Sequence, residues 1–279
     1  MEGVPLRLHA GWVVARREIG NAASALGGYV AIATALLAAG WIVSNDIRAA
    51  RAADLLVLEH PFRSAVTVAV LVISLFLGVS AVVSVARERD RGTLEVLFYG
   101  PVDEVSYLGG KLLGQVGGYL VALPILLAGL LMLSFLTGLS LTGSVILGMV
   151  ASVVPAGLVV AFGLLLAVIG GRLRNAVLLF VTATLAMVAV SVAYRFLLTV
   201  PIGSATSPLL PIRDAIGAMN AVVEWISPFA TLERTVDGIA IGAWASVALS
   251  LLVAGGYTLV SLLGAAAILR RRGIRSGGE

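Results

Sequence analysis

The residues able to do chemistry are few, and their positions rule out most reactions. There is no cysteine, which removes disulfides, thiolate metal sites and cysteine nucleophiles. The two histidines, His9 and His60, flank apolar runs rather than lying inside them, so neither an imidazole catalyst at membrane depth nor a metal site is expected. Gly109-Gly110-Lys111 is the nearest approach to a phosphate-binding loop, but Val105 stands at the upstream glycine position and Leu112 replaces the hydroxyl residue. ATP is therefore not expected to bind this chain, and no cofactor is expected. The densest charge is Arg87-Glu88-Arg89-Asp90-Arg91, followed by Gly92-Thr93-Leu94-Glu95-Val96-Leu97-Phe98 and Gly100-Pro101. Alternating signs suit a helix continuing into water. Gly92-Thr93 should break it, with Thr93 as the N-cap of a short helix. Pro101, Asp103 and Glu104 suit the start of the next one. Leu94, Val96, Leu97 and Phe98 would be awkward to expose on a short helix unless a partner received them; a loop packed back on its own bundle is the alternative.

These residues need elements to carry them, and composition says which. Of 279 residues, 59% are hydrophobic and 12% charged, against about 45–50% and about 25% in soluble domains. That surplus needs lipid as solvent, and the expected fold is an all-α polytopic membrane protein with six transmembrane helices. Charge-free runs place the spans near 25–43, 64–86, 112–136, 145–169, 175–200 and 243–269. No charge occurs from Leu112 to Gly171, and the turn-forming cluster Thr137 to Ser144 divides that run in two. Pro124 and Pro155 lie inside these spans, where kinks are tolerable. Glycines at 110, 114 and 118, and around Gly157 and Gly163, read as packing positions.

Orientation follows from the basic residues. With the N-terminus inside, the inner segments carry Arg7, Arg16 and Arg17; Arg87, Arg89, Arg91 and Lys111; Arg172 and Arg174; and Arg270, Arg271, Arg272 and Arg275. The outer segments carry Arg48, Arg51, Arg63, Arg195, Arg213 and Arg234. Thirteen against six is a positive-inside bias and predicts that both termini are cytoplasmic. The net charge of +4 is thus a flanking pattern, not a nucleic-acid face. The N-terminal residues lack the short apolar core of a signal peptide.

Two further segments carry periodicity. Leu8, Trp12, Ala15 and Ile19 make one face of an expected interfacial helix over residues 6–22. The outer segment 201–242 carries the helical stripe Ile212, Ile216, Met219, Val223 and Ile226. It is expected to form short helices that either dip into the outer leaflet or lie on it. A basic tail, 270–279, closes the chain.

Arg91-Gly92-Thr93-Leu94-Glu95-Val96-Leu97, with Pro101-Val102 and Gly110-Lys111, resembles the ABC transporter type-2 permease family. Ala15-Arg16-Arg17-Glu18-Ile19 and Ser227-Pro228-Phe229 with Gly238 match it more weakly. The resemblance implies a coupling helix after span two that docks on a separate cytoplasmic ABC ATPase subunit, and a dimeric translocation pathway, usually exporting, formed with a second permease copy. It assigns coupling roles to Arg89, Arg91, Gly92, Thr93, Leu94, Glu95, Leu97, Pro101 and Val102. Two other readings are weighed against it. An intramembrane enzyme would need a nucleophile–base pair or clustered carboxylates at one depth. A scaffold that does not transport could share the fold. No acidic residue is placed deep in a span, which argues against proton- or ion-coupled transport.

Overall fold

The apolar runs become helices because a chain in hydrocarbon must satisfy its backbone groups internally. The computed structural model describes residues 15, 16, 18, 20, 26–54, 61–94, 103–200 and 209–272. These form α1 (Leu26–Ala52), α2 (Arg63–Asp90), α3 (Glu104–Thr137), α4 (Gly143–Ala151), α5 (Val153–Gly170), α6 (Leu173–Thr199), α7 (Leu209–Ile226), α8 (Pro228–Ala240) and α9 (Trp244–Arg272). No strand occurs among the described residues. Six helical stretches are long and apolar enough to cross a membrane, with α4 and α5 together making the fourth. The protein is thus an all-helical chain of multi-pass membrane type. Most of the expected interfacial helix over 6–22 lies outside the described residues.

Several boundaries differ from the expected ones for visible reasons. The first span continues past Asn45 to Ala52, because Asp46 finds a partner there: Ser64 Oγ donates to its Oδ2 at 2.8 Å. The fourth span breaks at Ser152, before Pro155 rather than at it. Pro155 has no N–H to offer the carbonyl of Ala151, so the helix opens on the N-terminal side of the ring. Asp103 is the N-cap of α3, accepting from Ser106 N at 3.2 Å, rather than a first-turn residue. Gly138, at φ +69°, ends α3 in the left-handed conformation that glycine adopts without strain.

In the outer segment, α7 and α8 meet at 82°. Ser227 accepts from Ala230 N at 3.4 Å and Pro228 follows at the first helical position, so the elbow is a helix start. Residues 201–208 lie outside the described set.

The helix α5 is the axis of the bundle. It is apolar on every side and buried on nearly every side, as a helix without a polar face must be. It packs against α2, α3, α6, α8 and α9. Its closest neighbour is α2: a Cβ built on Gly163 would lie 2.7 Å from the carbonyl oxygen of Gly78. Neither backbone can move aside without disturbing its helix. Gly163→Val is expected to lower the thermal transition of the detergent-solubilised protein, at a cost of about 1–3 kcal/mol. Gly157→Ala is the control, since its Cβ would meet Val116 Cγ2 at 3.5 Å, an ordinary contact. Equal melting of the two variants would contradict a tight α2–α5 crossing.

Candidate functional site

Antiparallel helices bring residues four apart on one into register with residues four apart on the other. On α2 that series is Ser80, Ser84 and Glu88; on α3 it is Tyr107, Lys111, Gln115 and Tyr119. The two series face each other and form a polar track along an otherwise apolar interface. Gln115 Nε2 donates to Ser80 Oγ at 3.4 Å. Tyr119 and Ser152 hydroxyls lie 2.6 Å apart. Ser152 spends its own proton on the carbonyl of Met149, also at 2.6 Å, so Tyr119 is the donor between them.

The centre of the track is Lys111, whose side chain is only 2% exposed. All three ammonium protons have acceptors: Glu18 Oε1 at 2.5 Å, Ser84 Oγ at 2.6 Å and Glu88 Oε1 at 2.7 Å. Tyr107 donates to the other Glu88 oxygen at 2.5 Å, and its ring centroid lies 5.7 Å from the ammonium. Burying an ion costs several kcal/mol, offset only when its geometry is complete. Here it is complete. The cluster draws Glu18 from the N-terminal segment onto α3, where Gly114 leaves room; a Cβ on that glycine would collide with Glu18 Cβ.

The same end of α2 reaches two further helix termini. Arg89 Nη1 lies 3.4 Å from the Val168 carbonyl near the end of α5. Asp90 Oδ2 accepts from Leu173 N at 3.0 Å, capping α6, whose own N-cap residue Arg172 offers no side-chain bond. Gly92 turns the chain at φ +69°. The Thr93 hydroxyl donates back to the Glu88 carbonyl at 2.9 Å; the amides it was expected to cap lie outside the described residues. Leu94, by sequence, is either an exposed docking residue or part of a loop packed back on the bundle. It is 8% exposed and belongs to the bundle's own apolar core, because an apolar side chain beside α2 has a nearer place to go than a partner's groove. Arg91 is exposed. Glu95, Leu97, Pro101 and Val102 lie outside the described residues.

The sequence reading missed Glu18, Ser84, Glu88, Asp90, Tyr107 and Gln115 as a working set, and counted Lys111 as an ordinary loop charge. The signal was present. Two polar series with a period of four, running toward each other across one turn, should have been read as facing sides of a hairpin.

At the opposite end the amphipathic α8 is fastened by more exposed pairs. Arg63 Nε donates to Asp237 Oδ1 at 2.9 Å, and Thr67 Oγ1 lies 3.4 Å from the same oxygen. Arg195 Nη2 donates to Glu233 Oε1 at 2.6 Å. Within the elbow, Arg234 stacks 4.7 Å from the Trp225 ring and donates to the Glu224 carbonyl at 2.9 Å. No three His, Cys, Asp or Glu residues are placed to share a metal ion among the described residues.

Comparison with known proteins finds no matching family model and no matching curated protein.

Because Lys111 neutralises two partly buried carboxylates, removing it should cost more than an exposed ion pair would. Lys111→Met is expected to destabilise by about 3–5 kcal/mol and to release the N-terminal segment. The absence of native cysteine makes that release measurable: a cysteine in place of the buried Ala15 should react with a maleimide faster in the Lys111→Met background. Lys111→Arg, which keeps the charge, should recover part of the stability. Unchanged melting and unchanged labelling would show that the cluster does not hold the segment.

Proposed function

We propose that this chain is the permease subunit of an ATP-driven exporter of the ABC type-2 kind, inserted in a prokaryotic plasma membrane with both termini cytoplasmic. It would work as a dimer with a second permease copy, and a separate cytoplasmic ABC ATPase would drive it. The observation that carries this reading is the anchoring of residues 91–94. Force delivered there meets no slack: through Asp90, Arg89, Glu88 and Leu94 it reaches α6, α5, α3 and the bundle core at once. A segment meant to receive a push from outside needs that stiffness, whereas a passive loop does not. The thirteen-to-six bias in basic residues supports a cytoplasmic position for this end, where an ATPase would be.

The burial of Leu94 divides the labour within the segment. Leu94 anchors, and docking falls to exposed Arg91 and to the stretch that includes Glu95, Leu97, Pro101 and Val102. Arg89 acts as an internal strut to the end of α5. The exposed apolar faces of α1 and α6, with Leu37 and Trp41 on one and Leu185 and Phe196 on the other, are wide enough to meet a second copy as well as lipid.

The test is biochemical. Purification from the native membrane should bring down an ABC ATPase in stoichiometric amount, and its absence would count against the whole reading. Arg91→Ala should leave the melting curve unchanged and reduce coupling between ATP hydrolysis and transport in reconstituted vesicles. Replacing Gly92–Glu95 should abolish coupling. Leu94→Ala should instead destabilise the permease by about 2–5 kcal/mol, the usual cost of truncating a buried leucine. A reversal of the Arg91 and Leu94 effects would overturn the division between docking and anchoring.

A further inference from the structure

A cavity of about 200 Å³ opens between α1, α2 and α3, away from the polar track. Its walls include Ile32, Phe76, Gly118, Ala122 and Ile125, with Tyr29 at its rim. Tyr29 supplies the only polar side-chain atom among the residues that line it. The space exists because small residues stand where three helices converge: Gly28 and Ala31 on α1, and Gly118 and Ala122 on α3. Phe76 lies at the middle of α2, so the cavity is at hydrocarbon depth. An engineered apolar cavity of about 150 Å³ stays dry and takes up benzene-sized guests. This one is larger and equally apolar, so water gains nothing by entering it.

What lies above the cavity says what enters. Gly114, Gly118, Ala122 and Ile125 follow one another on a single face of α3. The N-terminal segment rests on the first of these: a Cβ on Gly114 would collide with Glu18 Cβ and lie 3.3 Å from the Ala15 carbonyl oxygen. That segment carries Arg16, which is exposed. Lys111, at the charged end of the bundle, is seven residues from Gly118, roughly 10 Å along the helix. Lys111 is buried and fully bonded, so the exposed cation of this end is Arg16, on the segment that rests on Gly114; the apolar slot begins at Gly118, about one turn further along the same face of α3.

We propose that this cavity holds an acyl chain of an anionic phospholipid whose headgroup meets Arg16. The bound lipid fills the notch between α1 and α3 and stays with the protein as a structural ligand. This assignment does not depend on the transport reading.

The test uses nanodiscs of phosphatidylcholine doped with a phosphatidylglycerol or a phosphatidylcholine carrying a diazirine on the acyl chain, followed by peptide mapping. Labelling should concentrate on residues 28–32, 73–77 and 118–125. The phosphatidylglycerol probe should exceed the phosphatidylcholine probe by about fivefold, the worth of one basic contact to an anionic lipid. Ala122→Phe should abolish that labelling by filling the cavity, and Ala31→Leu should do so from the α1 side if the first variant folds poorly. Arg16→Gln should erase the headgroup preference and leave acyl labelling in place. Labelling spread evenly over the apolar faces of α1, α6 and α9 would mean ordinary boundary lipid and overturn the proposal. So would equal capture of the two probes by the unaltered protein, or cavity labelling that survives both filling variants.

Discussion

An ammonium group inside a helix bundle cannot fall back on water, and the arrangement at one end of this protein follows from where Lys111 finds its partners. Its three acceptors come from two separate parts of the chain, Glu18 of the N-terminal segment and Ser84 and Glu88 on successive turns of α2. Each acceptor is fixed in turn. Glu88 also receives Tyr107, and Glu18 lies in the gap that Gly114 leaves. Rotation of α2 against α3 would strip at least one proton of its acceptor, and an unsatisfied buried donor costs about 1–3 kcal/mol, more when charged. The register of the first hairpin is thereby set by charge, while apolar packing supplies the bulk of the contact.

Around that hairpin the fold is organised by a helix with no polar face at all. Pro155 to Val168 of α5 are buried on almost every side, so α2, α3, α6, α8 and α9 must surround it, and the helices left at the periphery keep broad apolar surfaces. In lipid, helix contact gains little from hydrophobicity itself and depends on close packing. The approach of Gly163 to the Gly78 backbone is that mechanism at work. The glycines of the sequence are therefore contact points between α2, α3 and α5 as well as turns.

What could be read from the sequence was what depends on composition along one helix. Charge-free runs locate six spans, because the bilayer acts on each run independently of its neighbours. Turn residues divide the run from 112 to 171, which is local chemistry. What escaped was pairwise. Asp46 continues a helix only because Ser64 is opposite. Leu94 turns inward only because the core is within reach. Lys111 looked like a flanking charge because its two carboxylates come from positions 18 and 88, and no window along the chain spans them. The candidate site was thus half legible: residues 89–94 were found as a segment, and the groups that give it rigidity were not.

The two ends of the bundle are fastened by bonds of different kinds. At the Lys111 end the charges are buried, multiply bonded and shared among three chain segments. At the Asp237 end, Arg195 is 68% exposed in its pair with Glu233, and Arg63 is 36% exposed in its pair with Asp237. Exposed pairs contribute about 0–1 kcal/mol each, while breaking a buried one costs several times as much. Charge therefore fixes the Lys111 end, whereas α8 is held mainly by its apolar face, with Leu232, Val236 and Ile239 buried where it packs on α2, α4, α5 and α9. The 82° elbow between α7 and α8 is tied by Arg234, which reaches the Trp225 ring and the Glu224 carbonyl. Two helices meeting at such an angle share little surface, and Ser227 is the only residue between them. The two ends are thus fastened unequally, the Lys111 end by buried charge and the Asp237 end by the apolar face of α8 with exposed pairs at its rim.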